Sequence, residues 1–165
     1  MAAEIINLIG VFASILGAGL TVYFSFGAKN AADAAKNAAL ETRMQVARVD
    51  ILADLNMARY LLDDLSRRIN GKTWELVTER STSIRLLASP IIVQFGGDFS
   101  ENVSERLAEL VSQMRSLSQV ADKARFTSTK DPQIHNLLSI VDDQKETVVL
   151  AISEIKQKLG ENDGV

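Results

Sequence analysis

The chain has 165 residues, 24% of them charged, with a formal net charge of −3 and no cysteine. That length supports one compact domain rather than two, the charge gives no general attraction to nucleic acid or anionic lipid, and the missing thiols exclude disulfides and thiolate metal centres. Mean hydropathy is nonetheless slightly positive, and the excess sits in one block at the N-terminus.

Ile5 to Phe26 is a run of about 22 residues without charge, which at roughly 1.5 Å per residue matches a hydrocarbon core of about 30 Å. A cleaved signal peptide would need a basic start and a shorter apolar stretch, whereas the chain opens Met1-Ala2-Ala3-Glu4. Residues 1–27 are therefore expected to form a transmembrane helix. Lys29, Lys36, Arg43 and Arg48 follow it, against Glu4 alone before it. Positive flanks stay cytoplasmic, which puts the N-terminus outside and the remainder in the cytosol. In that topology the sequon at Asn102 meets no glycosylation enzyme.

From Ala28 to Ile69 there is no proline or glycine, and the alanine content favours an unbroken helix. Residues 28–39 read as a stalk, in which the pentapeptide AKNAA occurs at 28–32 and again at 35–39. This heptad repeat extends back into the apolar block. With Asn7 at position a, the a series is Asn7, Ser14, Thr21, Ala28, Ala35 and Thr42, and the d series is Gly10, Gly17, Phe24, Ala31, Ala38 and Gln45. Small residues permit close backbone approach and the polar ones supply interhelical hydrogen bonds, which are the forces that join helices in lipid. Asn7, Gly10, Ser14, Gly17, Thr21, Ala28, Ala31, Ala35 and Ala38 are thus the expected oligomer seam or pore lining, with a left-handed crossing.

A second stripe, Leu40, Met44, Ala47, Ile51, Leu55, Ala58, Leu62, Leu65 and Ile69, begins on positions c and f, on the opposite side. Its steps of three and four mark a core-facing helix. Asn70-Gly71 closes this helix, with glycine as C-cap. A second helix is expected from about Lys72 to Ala88 with Trp74, Val77, Ile84 and Leu87 inward; Pro90 kinks or restarts it, and Gly96-Gly97 breaks the chain. Asp98 and Glu101 resemble a capping box before a third helix with Val103, Leu107, Leu110, Met114, Leu117, Ala121 and Ala124 inward. After a loop at 127–130, Asp131 and Pro132 open a fourth helix. Its inward residues are Ile134, Leu138, Val141, Val148, Ile152, Ile155 and Leu159. A polar tail, 160–165, follows. Short loops make neighbours antiparallel, so residues 40–159 read as a cytoplasmic up-down four-helix bundle. The expected fold class is all-α, one transmembrane helix continuing into that bundle.

Catalytic patterns are absent. Gly71-Lys72-Thr73 resembles the end of a phosphate-binding loop, but Ser66 stands where its first glycine belongs. The single histidine, His135, lacks the Glu-x-x-His pairing of a di-iron bundle. Asp63-Asp64 and Asp142-Asp143 read as solvated faces. No enzyme, cofactor or metal is expected. Arg67, Arg68, Lys72, Lys123, Arg125 and Lys130 gather at the end of the bundle away from the membrane, as a tip suited to RNA, a nucleotide or an acidic protein; cations at helix C-termini explain the same pattern.

In layout the chain is similar to small membrane-anchored accessory proteins of bacterial antiviral systems, including those that assemble beside RNA-targeting CRISPR nucleases. The Arg-x4–6-His motif of their HEPN relatives is missing, because Arg125 and His135 stand too far apart. The expected function is a self-assembling, non-enzymatic pore or membrane effector whose partners are the bilayer and its own copies. The alternatives are a dimeric receptor-like or scaffold protein and an accessory subunit of a larger membrane complex.

Overall fold

The computed structural model describes residues 2–126 and 133–160, with the side chains of 2–24, 26, 27 and 30 outside that description. Four α-helices follow one another: α1 (Ala2–Asn70), α2 (Trp74–Phe95), α3 (Glu101–Phe126) and α4 (Ile134–Gly160), with one 3-10 turn at Gly96–Asp98. No strand occurs among the described residues. The chain divides into two units, Met1–Gln45 and Val46–Val165. The first is helical throughout its described length.

The second unit is an antiparallel bundle, as cross-helix contacts along its length record. Asp64 of α1 meets Arg80 of α2 at 2.9 Å, and Arg48 meets Asp98 beyond the end of α2 at 3.2 Å. Arg125 near the end of α3 pairs with Glu75 at the start of α2. Arg106 near the start of α3 pairs with Glu146, well along α4, and Lys145 of α4 with Asp63 of α1. Each helix contributes one apolar row to a single core. Leu55, Leu62, Leu65 and Ile69 of α1 are fully buried, with Val77 and Ile84 of α2, Leu107, Leu110 and Met114 of α3, and Val141, Val148 and Ile155 of α4.

Several expectations need correction. Leu40 and Met44 are exposed and Ala47 is half-buried, so the α1 core row begins at Ile51. Helix length explains this: α2 has 22 residues, and an antiparallel partner of that length, counted back from Asn70, runs out near Val49. Pro90 does not restart α2, which continues through it to Phe95. The carbonyl that loses its donor belongs to Leu86, itself exposed, where water can replace the missing bond. On α4 the buried leucine is Leu137 rather than Leu138, which is half-buried.

Helix ends differ as well. Gly71 N donates to Arg67 O, Lys72 N to Ile69 O and Thr73 N to Arg68 O, the paired bonds of a Schellman motif. Its left-handed residue is Lys72, with φ 53°, not the glycine before it. The three residues that resemble a phosphate loop are this helix stop. The capping box is also displaced. Ser100 is the cap of α3: its Oγ accepts from Val103 N at 3.3 Å, while Ser100 N and Oγ donate to the Glu154 carboxylate of α4 at 2.8 and 2.6 Å. A carboxylate from another helix thus fills the role that position N3 has in a local box. Asp98 is engaged elsewhere, by Arg48 and by Lys158 at 3.7 Å. Asp131, Pro132 and the loop 127–130 lie outside the described residues.

Candidate self-association surface

The part of α1 inside the second unit has two unlike faces. Ile51, Leu55, Ala58, Leu62, Leu65 and Ile69 are buried, whereas Val46, Val49, Ala53, Met57 and Tyr60 are exposed, Tyr60 at 61%. At 3.6 residues per turn the centres of these rows lie about 160° apart on the helix. Scattered exposed apolar residues need no explanation; a row repeating at steps of three and four along one face is a candidate interaction surface.

In the first unit, Ala28, Ala31, Ala35 and Ala38 are exposed, as is every described side chain from 31 to 44. The sequence spacing runs on from these alanines through Thr42 to Val46, Val49, Ala53, Met57 and Tyr60, always by three or four residues. The row passes from a and d positions to a, e and b positions, the drift expected where a straight helix meets a seven-residue frame. A heptad frame loses the row after Gln45, whereas a period of 3.6 residues keeps it. Asn7, Gly10, Ser14, Gly17 and Thr21 belong to the side chains outside the description. Among the described residues no helix is long and apolar enough to cross a membrane, and the uncharged run 5–26 falls almost wholly on those undescribed side chains.

The basic residues at the opposite end of the bundle are largely engaged. Arg67 and Arg68 each donate to Asp64 at 3.4 Å, and Arg80 of α2 donates to the same carboxylate at 2.9 Å. Asp64 is only 6% exposed, so it is a buried hub and not part of a solvated face. The Arg80 hydrogen bond, opposed by burial and assisted by Arg68, holds its carboxyl below the usual aspartate range. Asp64 in return raises the Arg80 guanidinium further above its already high value. Arg125 pairs with Glu75 and lies over the exposed Phe126 ring, 5.5 Å from its centre. Thr78 Oγ1 donates to Asp122 nearby at 2.8 Å. Lys72 and Lys123 are also engaged, and Lys130 lies outside the described residues. Asp63, Asp142 and Asp143 are exposed, the first two sharing Lys145. His135 is exposed in the first turn of α4.

Among the described residues no three acidic, histidine or cysteine side chains converge as metal ligands. No protein-family model, curated protein or solved structure matches the chain.

Proposed function

We propose that this protein is a non-enzymatic, membrane-anchored effector that assembles with copies of itself through the exposed row on α1, and that its assembly forms a pore. The observation that carries the reading is the double-faced helix: one side of α1 builds the bundle core, while the other presents Val46, Val49, Ala53, Met57 and Tyr60 to solvent. Membrane anchorage is supported by the uncharged run 5–26 and by Lys29 and Lys36 just after it.

The sequence supplies the rest of the argument. If the row continues back through Thr21, Ser14 and Asn7, it places small and polar groups where helices meet in lipid. In a ring of more than two copies the same groups face an aqueous axis, and polar side chains in bilayers face such cavities or a protein interior. Alanines at both a and d offer a two-helix seam little apolar area, which favours more neighbours. The bundle then stands on the cytoplasmic side. Participation in antiviral defence would suit this layout.

The test is mass and conductance of the full chain in lipid nanodiscs and planar bilayers. More than two subunits and ion conductance sensitive to Ser14→Leu are expected, with Gly17→Leu lowering the mass and Leu16→Ile leaving it unchanged. A stable dimer without conductance would replace the pore by a dimeric signalling protein.

A further inference from the structure

Arginines at several helix seams of the bundle meet carboxylates: Arg80 meets Asp64, Arg106 meets Glu146 and Arg125 meets Glu75. The middle of the α2/α3 seam is different. Its register follows from two contacts, Glu75 with Arg125 and Thr78 with Asp122. The helices are antiparallel, so a step forward on α2 matches a step back on α3. Ten steps from the first contact and seven from the second lead to the same pair, Arg85 opposite Arg115. Two like charges stand where other seams hold an ion pair. Neither guanidinium has an ion-pair or hydrogen-bond partner among the described residues. No acidic residue lies three or four positions from either arginine, so no neighbour on the same helix face neutralises them.

Both arginines line one groove of about 500 Å³, and no carboxylate lines it with them. Arg85 is half-buried there, and a partly desolvated charge that faces a like charge is unfavourable until an anion joins it. The remaining walls are of two kinds: the hydroxyls of Ser89 and Ser112, and the apolar side chains of Leu86, Ala108 and Val111. Leu86 is 65% exposed. The shape of the missing anion follows from the donors. A carboxylate has two oxygens in one plane, which a single guanidinium fork occupies. A phosphate ester presents oxygens in several directions and accepts a fork from each side of a groove. The volume is that of a small-molecule site, larger than one phosphate group fills, and Leu86 with Val111 offers an apolar wall to an organic substituent.

We propose that the α2/α3 groove binds an organic phosphate ester, with Arg85 and Arg115 on either side of the phosphate and Leu86 and Val111 against the organic part. The ester is either a free small molecule or the headgroup of an anionic lipid. The chemistry is the same, and the two sources are separable by experiment. The site stands independently of assembly through α1.

The full chain in phosphatidylcholine nanodiscs is titrated calorimetrically at low ionic strength with adenosine monophosphate, and with adenosine as the phosphate-free control. Saturable binding of the monophosphate that weakens with added salt is expected, with none for adenosine. Arg85→Gln and Arg115→Gln should each lower the affinity roughly ten- to a hundredfold, as loss of a charge-assisted hydrogen bond does. Arg115 is exposed, so its substitution provides the reading should Arg85→Gln fail to fold. Arg125→Gln removes a cation of the same seam that already has a carboxylate partner, and should leave the affinity unchanged. Equal affinity in nanodiscs that contain phosphatidylglycerol identifies a free ester as the occupant. An affinity lowered there in the wild type, but not in Arg115→Gln, identifies a lipid headgroup. No saturable binding of the monophosphate in phosphatidylcholine nanodiscs, or binding that Arg125→Gln weakens as much as the groove substitutions do, overturns the site. That result would leave assembly through α1 intact, since no groove residue lies on α1.

Discussion

Residues 31–44 and 51–69 belong to one helix, α1, and are treated very differently by their surroundings. In the first stretch every side chain is exposed, Leu40 and Met44 included; in the second, apolar residues at steps of three and four are buried against three other helices. Helices in water are held mainly by burying an apolar face and much less by propensity. The second stretch has that support. The first has the propensity of its alanines, and its side chains are exposed. On the proposed assembly the exposed stretch gains the most from neighbouring copies, and substitutions in the two stretches should have opposite signatures.

The largest effect belongs to the buried stretch. Leu62→Ala should cost about 2–5 kcal/mol, because the fully buried side chain leaves a cavity that the other helices fill only in part. Chemical denaturation of the second unit reads this directly, and a loss under ~1 kcal/mol would mean that the core row is not the main support of α1. Ser100→Ala should cost about 0.5–2 kcal/mol, since it removes the α3 cap and the anchor of Glu154; Glu154→Ala should reproduce part of that loss and Glu101→Ala almost none. Lys72→Gly should stabilise by about 0.5–1 kcal/mol, because the left-handed residue of the α1 stop carries a side chain there.

The acid response sharpens the same comparison. The Asp64 carboxyl is held below its usual value by Arg80 and Arg68. Its contribution to stability is therefore complete above the unfolded value of about 3.9 and is lost as pH falls through the lower folded value. A denaturation series across that range should show an acid-side loss that Asp64→Asn removes.

Much of this architecture is legible in the sequence, and what is not has specific causes. The apolar rows of α1 and α3 repeat at three and four over several turns, and burial follows them closely from Ile51 to Ile69 and from Val103 to Ala121. In α2 and α4 the apolar row skips a turn, between Val77 and Ile84 and between Val141 and Val148. The skipped positions, Ser81 and Gln144, keep the phase and are buried all the same. Being polar, they do not register in an apolar periodicity. Contacts between distant residues, such as Glu154 on Ser100 and Arg80 on Asp64, leave no local pattern, so the local sequence points to Asp98 as a cap and to Asp64 as a solvated residue. The exposed row from Val46 to Tyr60 escapes a heptad pattern for another reason: a seven-residue frame loses register with a 3.6-residue helix after a few turns.

The central claim is that the face of α1 opposite the core joins copies of this chain. Its most direct test is the subunit mass of the full chain in nanodiscs after Val49→Lys and Met57→Lys together, beside Val93→Lys, which places the same charge on an exposed valine of α2. All three residues are solvent-exposed, so folding of the bundle should be unaffected. The double substitution is predicted to lower the mass toward a single copy and Val93→Lys to leave it at the wild-type value. An unchanged mass for the double substitution would contradict the account and remove α1 as the surface of assembly.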